Sequence, residues 1–407
     1  MIEKNTTKII SIVKPYGNNV IKKFLSKENF ILVYNSIGEF ELKENEYKIC
    51  EIFNEKFAYE NVLEESLKLK LVKTESDFEI IYKTLKEKNI IVEFDMSPNS
   101  IFMNNIIIKR NGIGIGRTED NKWVVECWDN TFSENGIIEL SGKEEYRVWM
   151  CANGTTTAKD ILSRIGSRMN NQEENEVTIL LERNLFKFLK LGLWELEYCD
   201  NTNDIKSKED EKFIFDIENL RESCLLLPIG FELGRLNTSK EEYWISRGQE
   251  WIVLNEKEYK LWKRLNKNVM KLGQLQFELC KNKEEIIDEY LKSMLEKRLI
   301  MLWDTEFLSK TKNIRVSSQG RAIISQNKEL SCKFKSAINL GYEPEVFEFS
   351  HRLWMVVSGD KCIEDIVKIM YDKYKNDSTY EEIQERVVEN IRALMSLGLI
   401  RIDILYK

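Results

Sequence analysis

Residues Trp149–Leu162 read WMCANGTTTAKDIL, and Trp354–Val367 read WMVVSGDKCIEDIV. A tryptophan, four residues, a glycine and an amphipathic helical phrase thus occur twice in one chain. The match extends upstream, where EYRVW (Glu145–Trp149) faces SHRLW (Ser350–Trp354). Two further copies fall on the same alignment, EYKLW ending at Trp262 and EYKIC ending at Cys50. After each anchor comes a second shared phrase: TLKEKNIIVEF (Thr84–Phe94), FLKLGLWEL (Phe188–Leu196), MLEKRLIMLW (Met294–Trp303) and ALMSLGLIRI (Ala393–Ile402). Two phrases in fixed order, four times over, define a repeat, and a repeat must be identified before any motif inside it is interpreted.

The chain has 407 residues, more than one hydrophobic core normally serves. The repeat divides it into units at 1–95, 106–199, 213–304 and 313–407. The seams are Asp95–Asn105, the polar linker Asp200–Lys212, and Asp304–Lys312. At 43% hydrophobic and 32% charged residues, the composition is that of a folded chain. A net charge of −7 lacks the basic footprint of a nucleic-acid binder. The first residues hold no apolar core of signal-peptide length, and no run reaches the ~18–20 apolar residues of a membrane span. A cytoplasmic location with no membrane and no nucleic-acid partner is expected. Eight cysteines lie far apart without a CxxC pair, which supports buried thiols over zinc or a disulfide framework.

Within the second unit the order is strands, then helices. Gly112–Arg117, Lys122–Trp128 and Gly136–Leu140 are short, β-rich and separated by polar turns, with Asn135–Gly136 suited to a tight hairpin. A helical phrase ending in tryptophan follows, then a turn, a helix from about Ala158 and a longer third helix. Val177, Leu181, Leu185 and Phe188 fall at helical spacing, as do Ile383, Val387, Ile391 and Leu394. The third helices end at Asn89, Gly192 and Gly398, residues that take the left-handed conformation closing a helix. Arg298 holds that place in the third unit, where a strained or different ending is expected. Gly154 and Gly359 suit a left-handed turn, with Thr155 or Asp360 capping the next helix.

Catalytic signals are sparse. In GIGIGR (Gly112–Arg117), Arg117 stands where a dinucleotide fingerprint needs its third glycine, and a strand follows instead of a helix. A strand that tolerates close approach of another backbone is the better reading. His351 is the single histidine, which removes most triads and metal sites. It aligns with Tyr47, Tyr146 and Tyr259, positions of packing. Trp149, Trp262 and Trp354 read as plugs of a small core. No enzymatic activity, cofactor or metal ion is expected.

A three-stranded sheet, a helix ending in W-x4-G, a capped helix AKDIL and a third helix closing LGLW together resemble the PqqD family. Its members recognise the leader segments of ribosomally made, modified peptides. The second and fourth units match best. The first has Cys50 and Glu55 in place of the tryptophan and glycine, and the third has Asn268–Val269 at the turn. The resemblance implies an α+β fold, a tandem array of four winged-helix-like units, each a three-stranded antiparallel sheet followed by three helices. It also implies that a precursor's leader peptide adds as a strand beside the third strand, packs against the third helix, and is presented to a peptide-modifying enzyme. In the second unit the residues implied are Ile137, Ile138 and Leu140 on the strand, with Val177, Leu180, Leu181 and Asn184 on the helix. In the fourth they are Val346, Phe347 and Phe349 on the strand, with Ile383, Arg386 and Val387. Several of these must face their own unit's core.

Two other functions fit a winged-helix array. A scaffold for a biosynthetic complex would bury its third-strand edges between units. A DNA-binding regulator needs a basic recognition helix, whereas the third helices open NNQEENE, KNKEEIIDE and STYEEIQE, whose charge repels phosphate.

Overall fold

The computed structural model describes residues 8–11, 20–25, 28–35, 37–127, 136–168, 174–199, 221–237, 240–248, 250–281, 287–323, 332–336 and 342–404. The linker Asp200–Lys212, and with it Trp128 and Asn135, lies outside these residues. The fold is mixed α+β.

The first segment runs through β1 (Ile9–Ser11), β2 (Val20–Leu25), β3 (Glu28–Asn35), β4 (Gly38–Lys43), α1 (Glu44–Lys56), α2 (Tyr59–Lys68), α3 (Glu75–Glu87) and β5 (Ile91–Glu93). Helix α4 (Ile101–Asn105) leads into the second. That segment holds β6 (Ile106–Arg110), β7 (Ile113–Arg117), β8 (Trp123–Glu126), β9 (Ile137–Leu140), α5 (Lys143–Cys151), α6 (Ala158–Arg168), α7 (Glu174–Lys190) and β10 (Trp194–Tyr198). The third has β11 (Leu225–Pro228), β12 (Phe231–Gly234), β13 (Tyr243–Arg247), β14 (Glu250–Leu254), α8 (Glu256–Lys267), β15 (Met270–Lys271), α9 (Leu272–Lys281), α10 (Ile287–Glu296) and β16 (Ile300–Leu302). Helix α11 (Thr305–Lys310) joins it to the fourth: β17 (Ile314–Ser318), β18 (Arg321–Ile323), β19 (Cys332–Lys335), β20 (Glu345–Val346), α12 (Glu348–Val356), α13 (Ile363–Tyr374), α14 (Tyr380–Ser396) and β21 (Ile400–Ile404).

In each segment the opening strand pairs antiparallel with the closing one: β1 with β5, β6 with β10, β11 with β16, β17 with β21. The three strands between form an antiparallel meander. The seams expected at Asp95–Asn105 and Asp304–Lys312 contain the short helices α4 and α11, capped by the Ser100 hydroxyl and the Asp304 carboxylate. Phe102, Met103 and Leu308 bury their side chains there, so these joints are packed parts of the fold.

The third helices do end alike. The N–H of Ile90, Leu193, Leu299 and Leu399 reaches back to the carbonyl of Leu85, Phe188, Met294 and Leu394 at 2.8–2.9 Å. The residue before each is left-handed: Asn89 (φ 49°), Gly192 (66°), Arg298 (52°) and Gly398 (70°). Arg298 therefore ends its helix the same way as the glycines, under strain rather than differently, because the apolar residue after it must still turn into the core.

Trp149, Trp262 and Trp354 are fully buried, each inside its segment's apolar cluster. Trp262 lies within α8 rather than at its end. The following turn is left-handed at Gly154 (φ 77°) and Gly359 (φ 87°). These two glycines touch: a Cβ on Gly359 would stand 2.0 Å from the Gly154 carbonyl oxygen. The two copies of the opening phrase thus meet back to back, and glycine is required on steric grounds. The expected caps shift by two residues. Thr157 caps α6, exchanging bonds with Asp160, and Cys362 holds that place before α13. Thr155 instead donates to the buried Asp403 carboxylate at 3.2 Å, linking the second segment to the fourth.

Candidate functional site

The glycines of Gly112–Arg117 fix how the second and third meanders meet. β7 pairs in parallel with β12 at Gly114 and Gly234, and β12 continues through β13 to β14. One six-stranded sheet results, in the order β14-β13-β12-β7-β8-β9. A Cβ on Gly234 would lie 2.0 Å from the Gly114 oxygen, and one on Gly114 would lie 1.8 Å from the Tyr146 hydroxyl. Close backbone approach, and not phosphate, explains these glycines. The first strands of the two meanders are consumed by each other, and among the described residues the third strands, β9 and β14, are the sheet's outer edges. Among the described residues β4 and β20 also end their sheets.

Strand β9 alternates cleanly. Ile138 and Leu140 are 6% and 4% exposed and join the segment's core, while Ile137 is 52% exposed. A lateral edge with an outward apolar side chain offers unpaired backbone groups to another strand. Its end is anchored to α7: Lys187 donates to the Ser141 hydroxyl at 3.0 Å and pairs with Glu145. Burial works against the Glu145 carboxylate, but the Lys187 ammonium and the Ser141 donors outweigh it and hold its pKa below the usual range. Glu145 stays charged and pins the strand end to the helix start.

On α7, Val177, Leu180, Leu181 and Asn184 are all buried. The Asn184 amide donates to the Leu180 carbonyl at 2.7 Å, a bond within its own helix. All four therefore face the segment's interior, and Val177, Leu180 and Leu181 share one apolar core with Ile138 and Leu140. The exposed apolar residue of this helix is Ile179, at 64%, which lies off the periodic stripe and was not among the sequence candidates.

In the fourth segment the expected strand is shortened. Val346 is in β20, but Phe347 is the N-cap of α12 and Phe349 lies inside that helix. The strand assignment of Phe347 and Phe349 is corrected: α12 begins at Glu348, whose carboxylate suits the positive end of a helix. Phe347 is 76% exposed, while Val346, Phe349, Ile383 and Val387 are buried. Arg386 is exposed, with its guanidinium 4.0 Å from the centre of the Phe349 ring. The fourth edge thus offers two strand residues and a cation lying on an aromatic ring.

His351 is a packing residue. It is 7% exposed, edge-on to Phe334 at 5.5 Å, and burial followed by the Arg352 charge pushes its pKa down to about 4. Six of the seven described cysteines are buried, and Cys50 is pushed up by burial, so these thiols are poor nucleophiles. None of the described helices is long and apolar enough to cross a membrane.

No family model and no curated protein matches the chain. Among solved structures it is similar to PKMT2 from Rickettsia typhi, at 11% identity and a TM-score of 0.20, and to the same protein in complex with AdoHcy, at 11% and 0.19. Both matches cover 62% of this chain and 54% of the other, so the chain spans about half the length of the structures it matches. The sequence expectation of no enzymatic activity is withdrawn on this finding. At such TM-scores the likeness carries no activity, substrate or cofactor over to this chain.

Proposed function

We propose that the chain is a peptide receptor built of four winged-helix-like units, which captures the leader of a ribosomally made precursor by strand addition and presents it to a peptide-modifying enzyme. The observation that carries this reading is the sheet order. Pairing of β7 with β12 hides the first-strand edges and, among the described residues, leaves the third-strand edges β9 and β14 outermost. A pure scaffold would be expected to bury those third strands between units, and the opposite edges are the ones used. Strand β9 is the principal site, with Ile137 outward and Ile138 and Leu140 inward, in the core they share with Val177, Leu180 and Leu181.

Two or three apolar anchors from a peptide contribute ~1.5–3 kcal/mol each, and ordering the peptide opposes this by ~2–5 kcal/mol. Backbone hydrogen bonds to the edge strand, at ~0.5–1.5 kcal/mol each, add to what remains, and micromolar affinity is the expected result. The test is fluorescence anisotropy with labelled leaders of short precursors encoded beside this gene. Saturable binding that Ile137→Asp weakens supports the proposal. Absence of saturation at about 100 μM, with any Kd above ~1 mM, would sink it.

A further inference from the structure

The six-stranded sheet fixes more than the presence of two edges. β8 is antiparallel to both β7 and β9, and β13 to both β12 and β14, while β7 and β12 run parallel. The edge strands β9 and β14 therefore run in the same sense, on opposite sides of one sheet. Each carries an outward apolar side chain, Ile137 at 52% exposure and Val253 at 39%. We propose that the chain holds two extended peptide segments at once, one on β9 and one on β14, both running in the same sense along the sheet. This rests on the peptide-receptor reading and sharpens it to a stoichiometry and a polarity.

The geometry sets a condition on the ligand. With strands ~4.8 Å apart, the two captured segments lie seven spacings, or ~34 Å, from each other. Twist of ~20–25° per strand, summed over the seven spacings, turns them by roughly 140–175°. A single precursor carrying both segments must return across the sheet from the end of one to the start of the next. At ~3.3–3.6 Å per extended residue, that link needs at least about ten residues. The two sites are unequal. The Lys297 ammonium, paired with Glu258 at 2.6 Å, lies 3.5 Å from the Val253 carbonyl and competes with an incoming strand on β14. β9 fills first.

Calorimetric titration of the full chain with one synthetic leader segment tests this. Two segments bound per chain are expected, falling to one in Ile137→Asp and to one in Val253→Asp, both at exposed side chains that leave the cores intact. Two leader segments joined by a 20-residue Gly/Ser linker should bind one per chain, at least ~10-fold tighter than one segment. The same pair joined by four residues should show no such gain. One segment per chain in the native protein, or an equal gain from the four-residue linker, overturns the inference and leaves the receptor reading standing. No saturable binding overturns both.

Discussion

The second and third segments share one sheet and one backbone plan, yet reach it with different chemistry. The second ends α7 on Gly192 and the third ends α10 beside Arg298, both left-handed, with the same bonds closing the helix. Trp262 donates its indole N–H to the Ile229 carbonyl at 3.0 Å, whereas the indole N–H of the equally buried Trp149 meets no acceptor among the described residues and its ring lies under the Arg110 guanidinium. Where the second segment turns at Gly154, the third places the strand β15 against β11. Conformation is held constant while the residues that stabilise it change. Where another backbone comes within contact, as at Gly114 and Gly234, glycine is kept.

The largest effect should come from the seam that joins the two. Gly234→Ala puts a Cβ against the Gly114 oxygen in a left-handed position (φ 93°), and a loss of roughly 3 kcal/mol or more in chemical denaturation is expected. Gly142→Ala, with nothing within 4 Å, is the control and should change little.

The next effect lies at the fourth segment's counterpart of Tyr146 and Tyr259. His351 has its pKa lowered from 6.5 to about 4 in the folded chain, so the unfolded chain takes up a proton first as pH falls. The stability due to the neutral imidazole is complete above about pH 6.5. It is lost as pH drops toward 4, to a total of roughly 3 kcal/mol. His351→Phe should abolish that part of the slope. An unchanged slope in denaturation across pH 4–7 would place the proton uptake elsewhere.

Smaller contrasts sharpen the comparison further. Trp262→Phe should cost about 1 kcal/mol more than Trp149→Phe, because only the first leaves a buried carbonyl without its donor. Arg298→Gly should stabilise the chain by about 1 kcal/mol by relieving the left-handed strain, read as a small rise in Tm. If the melting temperature falls instead, the side chain of Arg298 contributes more than its backbone costs.

Local chemistry made part of this architecture legible in the sequence. The strands of the second meander, the helix ends at Asn89, Gly192 and Gly398, and the backbone approach at Gly114 all follow from residues within a few positions of the feature. The pairing of opening with closing strands was not legible, since Ile106 meets Tyr198 and Ile314 meets Ile404, and no local pattern encodes such distant partners. The candidate site shows a related limit. Apolar periodicity selects the core-facing stripe, so Val177, Leu181, Ile383 and Val387 proved buried. The exposed Ile179 breaks the stripe, and that break was the available signal.

The joining of first strand to last within each segment has a consequence for synthesis. β1 leaves the ribosome more than seventy residues before β5, its only partner in their two-stranded sheet, and the same delay recurs three times. Until the closing strand emerges, the opening strand has only a short partner, such as the two-residue pairing of β11 with β15 or the single bridge of Ile107 to Thr157, so the pairing of each segment is completed in a late step. Vulnerability to chaperones, proteases and misjoined neighbours should rise and fall four times along the growing chain, easing each time a helix ends and the last strand docks.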